Sequence, residues 1–183
     1  MHAFERIDVQ GVECYLRPYR IDDVTALQQA ANDIRVARYM FVGFPHPYTV
    51  ADAHWWVEHA TAQDPTEHFV IEVNGSFAGA VGLSPSGLGR GGVGVIGYWL
   101  RPEWWGRGIV TAVVRGVVEY AFANGFRRLE ASVYQPNLAS ARVLEKNRFM
   151  LEGRLRKHRI GRDGEIMDEL LYGLLRDEGT QRS

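Results

Sequence analysis

Hydrophobic residues recur at helical spacing over residues 109–122. Two apolar stripes run along this stretch with a step of four residues, one made of Ile109, Val113, Val117 and Ala121 and the other of Val110, Val114, Val118 and Phe122. Apolar residues repeated at this spacing form the buried face of an amphipathic helix. Gly125 follows, where a left-handed residue commonly ends a helix. The pattern therefore predicts a long helix that begins after Gly108.

The rest of the chain alternates between strand and helix patterns. Asn74-Gly75 lies between two strand patterns and favours a tight hairpin turn. The predicted elements, in order, are a strand at 12–18, two short helices from Asp22 to about Met40, a helix from Thr49 to about Gln63, strands at 68–73, 76–83 and 93–100, the long helix, a strand at 128–134, a helix from Asn137 to about Lys146, and strands at 149–158 and 166–174. This order predicts a mixed α/β domain.

The composition fits one globular domain, which we place over residues 1–183 with its core at about 12–176. The 183 residues are 46% hydrophobic and 23% charged, which is ordinary for a globular protein. The formal net charge of -1 gives no basic excess for neutralising a phosphate backbone. We therefore expect no nucleic-acid partner.

The sequence contains one cysteine, Cys14, which cannot form an intrachain disulfide. The histidines do not join it in the spacing of a zinc site, so we expect no metal. Nowhere do 18 apolar residues run together, and the start of the chain lacks the apolar stretch of a signal peptide. These features predict a cytoplasmic protein without membrane attachment, in which Cys14 is a small buried hydrophobe.

Two glycine clusters differ in the type of element that comes after each. Residues 87–92 match the GxGxxG pattern, but a strand pattern comes next, whereas a dinucleotide site needs a helix N-terminus there. We interpret this cluster as a hairpin loop. Gly106 and Gly108 lie instead where a strand meets the long helix, whose first N–H groups lack partners within the helix. With Arg107 between the glycines, this junction predicts an anion site.

Asn137 and Ser140 lie at the start of the next predicted helix, directly after a strand. They are one helical turn apart and can face the same cleft. Asparagine is also among the best N-cap residues, so a purely structural role is the alternative for Asn137.

The runs GYWLRPEWWGRGIVTAVV and SVYQPNLASARVLEKNRF, followed by LEG, resemble the GNAT superfamily of N-acetyltransferases. From LRPYRIDDV to ELLYGLL the chain resembles the RimJ/RimL-type branch, which acetylates the N-termini of ribosomal proteins. The resemblance implies the acyl-CoA N-acyltransferase fold, an α/β (α+β) architecture with a mixed, mostly antiparallel central sheet of about seven strands flanked by helices. It also implies acetyl-CoA as the cosubstrate.

The same resemblance implies which residues bind coenzyme A. In the family, one strand splays from its neighbour and holds the pantetheine arm, the start of the following helix holds the diphosphate, and a later helix supplies further contacts. Glu103 stands where the family usually has glutamine or arginine. The implied residues are Trp99, Leu100 and Arg101 for the arm, Trp105, Gly106, Arg107, Gly108, Ile109 and Val110 for the diphosphate, Asn137 for the pantetheine, and Arg142 and Lys146 for the phosphates.

The general acid and base follow less directly from the resemblance. Many relatives carry a tyrosine acid where this chain has Leu144, while Ser140 matches a serine that the RimJ/RimL branch places near the sulfur. Ser140 is therefore the candidate general acid. Glutamates that relatives carry near the acceptor correspond to Ser132 and Arg159.

Glu152 and His158 are the candidate bases. They share strand parity, opposite the apolar Leu151 and Leu155, so both can face a cleft. Histidine is also the side chain that changes protonation state near neutral pH. A solvent-facing His158, with a water chain as the proton path, is the alternative.

The predicted function is transfer of an acetyl group from acetyl-CoA to a primary amine by direct attack in a ternary complex. The resemblance favours a protein N-terminal amine as the acceptor. A small-molecule amine, such as a polyamine, amino sugar or antibiotic, is one alternative, and a non-catalytic acyl-CoA sensor is another. The loop at 41–49 and Trp55-Trp56 would shape the acceptor site. The branch also implies a homodimer.

Overall fold

The computed structural model describes residues 7–9, 11–63, 67–86 and 92–179. The chain divides into two compact units. The first comprises residues 1–82 and 98–113, and the second comprises residues 83–97 and 114–183.

Antiparallel strands form the sheet of the first unit. Asn74 and Gly75 connect the third strand to the fourth with φ angles of 49° and 75°, which asparagine and glycine adopt more readily than other residues. The strands, each paired with the next, are β1 (Ile7–Val9), β2 (Val12–Pro18), β3 (His68–Val73) and β4 (Ser76–Pro85), the last of which continues into the second unit.

The helices after β2 are short. A 3-10 turn at Ile21–Asp23 leads into α1 (Val24–Ala31), α2 (Ile34–Ala37) and α3 (Val50–Thr61). Thr49 begins α3 with a capping box, because its hydroxyl accepts a hydrogen bond from the N–H of Asp52 and the Asp52 carboxylate accepts one from the N–H of Thr49.

Aromatic side chains fill much of the core of the first unit. The ring of Phe77 lies 6.2 Å from Tyr19 and 6.0 Å from Trp99, and Phe44 lies 6.2 Å from Trp99. Such tilted and edge-on arrangements suit the quadrupole of aromatic rings. Phe44 belongs to the loop at 41–49, so this loop is anchored in the core.

The second unit combines parallel and antiparallel pairs. Strands β5 and β6 run parallel, while β8 lies between β6 and β7 and is antiparallel to both. The elements are β5 (Val93–Leu100, which continues into the first unit), β6 (Arg128–Tyr134), α5 (Leu138–Lys146), β7 (Met150–Ile160), β8 (Ile166–Leu175) and α6 (Arg176–Gly179).

Helix α4 (Ile109–Ala123) is the crossover that parallel β5 and β6 require. Nearly all of both predicted stripes is buried. Gly125 has a φ angle of 90°, and the N–H of Phe126 donates to the carbonyl of Ala121, which closes the helix end as predicted.

The sequence-based prediction of the fold class is confirmed, since the sheet is mixed and mostly antiparallel. The described residues contain eight strands, one more than predicted, because β1 is only three residues long and left no pattern. The glycine-rich stretch 87–91 lies outside the described residues, although a strand does follow it at Val93. The placement of one domain over residues 1–183 stays a prediction.

Cys14 on β2 is fully buried, and burial raises the pKa of its thiol to about 11. The prediction of a small buried hydrophobe is thus confirmed. Among the described helices, none combines the length and apolar character needed to cross a bilayer.

Candidate active site

The junction between β5 and α4 is built on two glycines in the left-handed region. Gly106 and Gly108 have φ angles of 74° and 78°. A Cβ at Gly106 would meet no atom within 4 Å, and one at Gly108 would lie 3.7 Å from the Val9 side chain. The glycines are therefore required by the backbone conformation, since space for a side chain is present. The carbonyl of Gly108 accepts from the N–H of Ala112, so the helical ladder starts at this glycine.

Charged side chains surround this junction. The Arg107 guanidinium lies 5.0 Å from the centre of the Trp104 ring, a cation–π contact that holds the arginine beside the turn. Arg101 and Glu103 form an ion pair at 2.7 Å. Glu103, at the position where relatives carry glutamine or arginine, thus has a cationic partner of its own.

The end of β5 already uses part of its backbone within the first unit. The carbonyl of Leu100 accepts from the Trp105 indole at 2.7 Å, and the N–H of Arg101 donates to Ala78 at 2.8 Å. The resemblance assigns Trp99, Leu100 and Arg101 to the pantetheine arm. Of their backbone groups, the carbonyl of Leu100 and the N–H of Arg101 therefore already have protein partners. The side chain of Trp99 packs into the aromatic core, which fixes the course of its backbone.

The parallel pairing of β5 with β6 is short. It joins Val93–Val95 to Arg128–Glu130 and ends there, although β5 continues for five residues to Leu100 and β6 for four to Tyr134. This interruption matches the splayed strand that the family resemblance implies.

Asn137 and Ser140 occupy the first turn of α5. The Asn137 side chain accepts from the N–H of Ser140 at 3.3 Å, so the capping role that residue type alone suggests is present. That role uses the amide oxygen and leaves the amide NH2 for a ligand. Arg142 and Lys146 are exposed on the same helix, while Leu144 is fully buried. The position that carries a tyrosine in many relatives therefore faces the protein interior here.

Glu152, the first candidate base, is bound by arginine. Arg128 donates to both of its carboxylate oxygens and also to Glu130 at 2.8 Å. The hydrogen bonds from Arg128 hold the pKa of Glu152 below its ordinary value. This carboxylate is therefore a weaker proton acceptor than an unpaired glutamate.

His158, the second candidate, contacts the buried carboxylate of Glu169 on β8. Its Nδ1 lies 2.6 Å from Oε2 of Glu169, and Arg159 donates to the two oxygens of the same carboxylate at 2.9 and 2.8 Å. Glu169 is 2% exposed, whereas the His158 side chain is 49% exposed. Burial alone would raise the pKa of Glu169, but hydrogen bonds from Arg159, Ser132 and His158 outweigh it and lower that pKa.

The strand parity on which the pairing of Glu152 with His158 rested is wrong. The register of β7 against β8 shifts between Leu151 and Gly153 and again between Leu155 and Arg159. The expected apolar face is not buried either, since Leu151 is 54% exposed. Bulges reset the alternation of a strand. Glu152 and His158 therefore contact different partners, and the structure does not bring them together.

Sequence reasoning missed Glu169. The signal was present, because Glu169 stands between Met167 and Leu171 at the inward positions of a strand, and a charged residue there is rarely fully buried without a partner. The partners His158 and Arg159 were not readable, since a bulge of β7 brings them to Glu169.

The predicted acceptor elements are largely aromatic. In the loop at 41–49, Phe44 and Tyr48 are buried with their rings 5.2 Å apart. On α3, Trp56 packs against the core while Trp55 is 64% exposed and stacks on His59 at 5.4 Å. Trp55 is thus available to a ligand at the surface.

Comparison with known proteins places these features in a family. The family model described as "Acetyltransferase (GNAT) domain" matches residues 14–150. The probable N-acetyltransferase YjcK of Bacillus subtilis (strain 168) is 32% identical over 182 residues, which cover 94% of this chain and 99% of that protein.

Solved structures agree with this assignment. Mycobacterium smegmatis RimJ in complex with CoA-disulfide is 26% identical and covers 97% of this chain and 88% of its own, with a TM-score of 0.84. RimL, a ribosomal L7/L12 α-N-protein acetyltransferase in complex with coenzyme A, shares the fold at 21% identity, 93% and 98% coverage and a TM-score of 0.77. The chain therefore belongs to the GNAT family of acetyltransferases, resembles its RimJ/RimL branch and is an N-acetyltransferase.

Proposed function

We propose that this enzyme acetylates the N-terminal amine of a protein or peptide, with acetyl-CoA as the donor. The observation that carries the donor assignment is the left-handed pair Gly106 and Gly108 at the start of a 15-residue helix. The similarity to RimJ along 97% of the chain supports the acceptor class.

The first turn of α4 would hold the diphosphate of coenzyme A. Helix N-termini present N–H groups and a positive dipole end to an anion. The positive φ angles of Gly106 and Gly108 form the turn that leads into α4. Arg107 adds a cation, which packs against the ring of Trp104. The proposed contacts are Trp105, Gly106, Arg107, Gly108, Ile109 and Val110.

Backbone groups of Trp99, Leu100 and Arg101 would contact the pantetheine arm. Because the N–H of Arg101 and the carbonyl of Leu100 have protein partners, Trp99 is the residue of this set that we expect to contribute most. On α5, the Asn137 amide would donate to the arm, while exposed Arg142 and Lys146 would approach the phosphates.

Acetyl transfer requires a neutral amine and a leaving thiolate that is stabilised or protonated. Ser140, which is partly buried in the first turn of α5, is the proposed donor to the sulfur. His158 and Glu152 are the candidate acceptors of the amine proton, and the contacts of His158 favour it.

The donor site is tested with a matched pair of glycine variants. Gly108→Ala and Gly164→Ala both force a Cβ into the left-handed region, at φ angles of 78° and 81°. We expect each to lower the free energy of unfolding by about 1 kcal/mol. Only Gly108→Ala should weaken the binding of acetyl-CoA in calorimetry. If both variants bound acetyl-CoA with equal affinity, the diphosphate would not bind at the first turn of α4.

The acceptor is tested by thiol release with a panel of N-terminal peptides, a polyamine and an amino sugar. The proposal predicts faster release with peptides that have a free N-terminus than with the same peptides N-terminally blocked or with the small amines. A preference for a small amine would overturn the acceptor assignment. Binding of acetyl-CoA with no release on any amine would instead indicate a sensor.

A further inference from the structure

We propose that His158 and Glu169 act together as the base of the reaction, with His158 as the residue that takes the proton and Glu169 as the positioning residue behind it. This inference rests on the proposed function and deepens it, because it names the proton acceptor and assigns a role to a buried carboxylate.

The hydrogen bond between the two side chains fixes the chemistry of the imidazole. An ionised carboxylate only accepts hydrogen bonds, so Nδ1 of His158 must donate to Oε2 of Glu169 at 2.6 Å. A neutral ring that donates from Nδ1 carries its lone pair on Nε2. Within the described residues no hydrogen bond occupies Nε2, and nearly half of the side chain is exposed. The proton-accepting atom of His158 is therefore open to a substrate.

A bulge in β7 is what brings His158 to Glu169. Leu155 pairs with Glu169 and Arg159 pairs with Met167, so residues 156–158 of β7 stand opposite the single residue 168 of β8. Neighbouring residues of a regular strand point to opposite faces. Here adjacent His158 and Arg159 contact one carboxylate, and bulges of this kind recur next to active sites because they redirect side chains.

Asp168, which precedes Glu169 on β8, also binds the bulge of β7. Lys157 has a φ angle of 54°, and its N–H donates to Oδ1 of Asp168 at 2.8 Å. Arg154 donates to the other oxygen of Asp168. Consecutive carboxylates, Asp168 and Glu169, thus fix the backbone of the bulge and the side chain that it presents.

The carboxylate of Glu169 has more partners than His158 alone. Arg159 binds both oxygens and the Ser132 hydroxyl donates as well, while Tyr134, the Cα partner of Glu169 on β6, interacts electrostatically with Arg159. His158 therefore contacts a carboxylate that other donors already hold in place. This arrangement orients the ring and stabilises the imidazolium that forms when it takes a proton.

In the proposed step, the acceptor nitrogen forms a bond to the thioester carbonyl carbon and loses a proton to Nε2 of His158. The carbon–sulfur bond breaks and its electron pair leaves on sulfur, which takes a proton from Ser140 or from water. If Ser140 is the donor, its oxygen regains a proton from solvent. His158 returns its proton to solvent, which its exposure allows. The products are the acetylated amine and the free thiol.

A mutant cycle tests whether Glu169 acts through His158. The variants are His158→Ala, Glu169→Gln and the double variant, with Glu130→Gln on the adjacent strand β6 as the matched control. We expect His158→Ala to lower kcat by about 100-fold, Glu169→Gln by about tenfold, and both to leave the KM for acetyl-CoA within about twofold. The double variant should be as slow as His158→Ala, because the two losses share one group. Glu130→Gln should stay within about twofold of wild type.

Free imidazole separates chemistry from folding. Added imidazole should raise the rate of His158→Ala and leave that of wild type unchanged, which a purely structural role would not produce. A kcat for His158→Ala above about one third of wild type, or fully additive losses in the double variant, would overturn the proposal. The cycle is run with whichever amine of the acceptor panel wild type acetylates fastest. A failure of the peptide assignment therefore leaves this test intact.

Discussion

Asp23 in the first unit and Glu169 in the second are both buried carboxylates bound by an arginine, but their other partners differ. Arg17 donates to the two oxygens of Asp23 at 2.8 and 2.7 Å, and the N–H of Arg20 adds a third bond at 2.7 Å. The Arg17 side chain is only 15% exposed, so most of this network is shielded from solvent. Glu169 instead binds two partners, Arg159 and His158, that reach the surface.

This difference separates a structural pair from one that can take part in chemistry. Both carboxylates need a cation because an unpaired buried charge is costly. In the first unit the pairing ties the 3-10 turn at Ile21–Asp23 to β2 and, through a 2.6 Å bond from Arg17 to Glu72, to β3. In the second unit part of the pairing is made by an imidazole with an open nitrogen. A buried carboxylate therefore points to function when one of its partners also presents a proton-accepting atom at the surface.

Removal of Arg17 should have the largest effect on stability. Arg17→Met leaves Asp23 buried with only the N–H of Arg20, so we expect the free energy of unfolding to fall by about 3 kcal/mol in urea denaturation. Arg35→Met is the matched control in the same unit, because the pair of Arg35 with Asp33 is exposed to solvent and should contribute little to stability. Similar losses of unfolding free energy in the two variants would show that the Arg17 network stabilises the fold no more than an exposed ion pair does.

Removal of Arg159 should cost less, about 1.5 kcal/mol, because Glu169 keeps the donors Ser132 and His158 and because Arg159 is itself partly exposed. The measurement is urea denaturation of Arg159→Met beside Arg17→Met. A loss from Arg159→Met as large as that from Arg17→Met would mean that His158 and Ser132 do not support the carboxylate.

Much of this fold was readable from periodicity. The double stripe of α4 and the Asn74-Gly75 turn are local signals, and local geometry alone sets their outcome. The Gly106–Gly108 turn belongs to the same class, since the position of glycines before a helix already implies a left-handed backbone. These features do not depend on which residues meet across the chain.

The contacts of the candidate base His158 could not be predicted in the same way. A bulge is an insertion relative to a partner strand, so it exists only in the register of β7 against β8. The bond from Arg128 to Glu152 likewise joins residues 24 positions apart. Simple alternation along β7 therefore grouped Glu152 with His158, although their carboxylate and imidazole have separate partners.

Acid should weaken the Glu169 network. The folded-state pKa of Glu169 is lowered, so its contribution is fully present above the ordinary glutamate pKa of 4.5 and is lost as the pH falls through the lower folded value. The stability gap between wild type and Glu169→Gln should therefore narrow as urea denaturation is carried from pH 6 towards pH 3. The narrowing should persist in 0.5 M salt, because a buried pair is screened little. A gap that widens in acid would show that the carboxylate is not stabilised in its charged form.

The smallest effect is expected at Lys157, where the bulge of β7 places a residue with a side chain in the left-handed region. Lys157→Gly removes that strain but adds flexibility to the unfolded chain, so we expect the free energy of unfolding to rise by no more than about 0.5 kcal/mol. Lys157→Ala keeps the Cβ and should leave stability unchanged within the error of thermal and urea unfolding. If Lys157→Gly instead lost more than about 1 kcal/mol while Lys157→Ala did not, rigidity of the bulge itself would stabilise the second unit. The strained residue would then act as a support for the bulge of β7 and for its contact with Asp168.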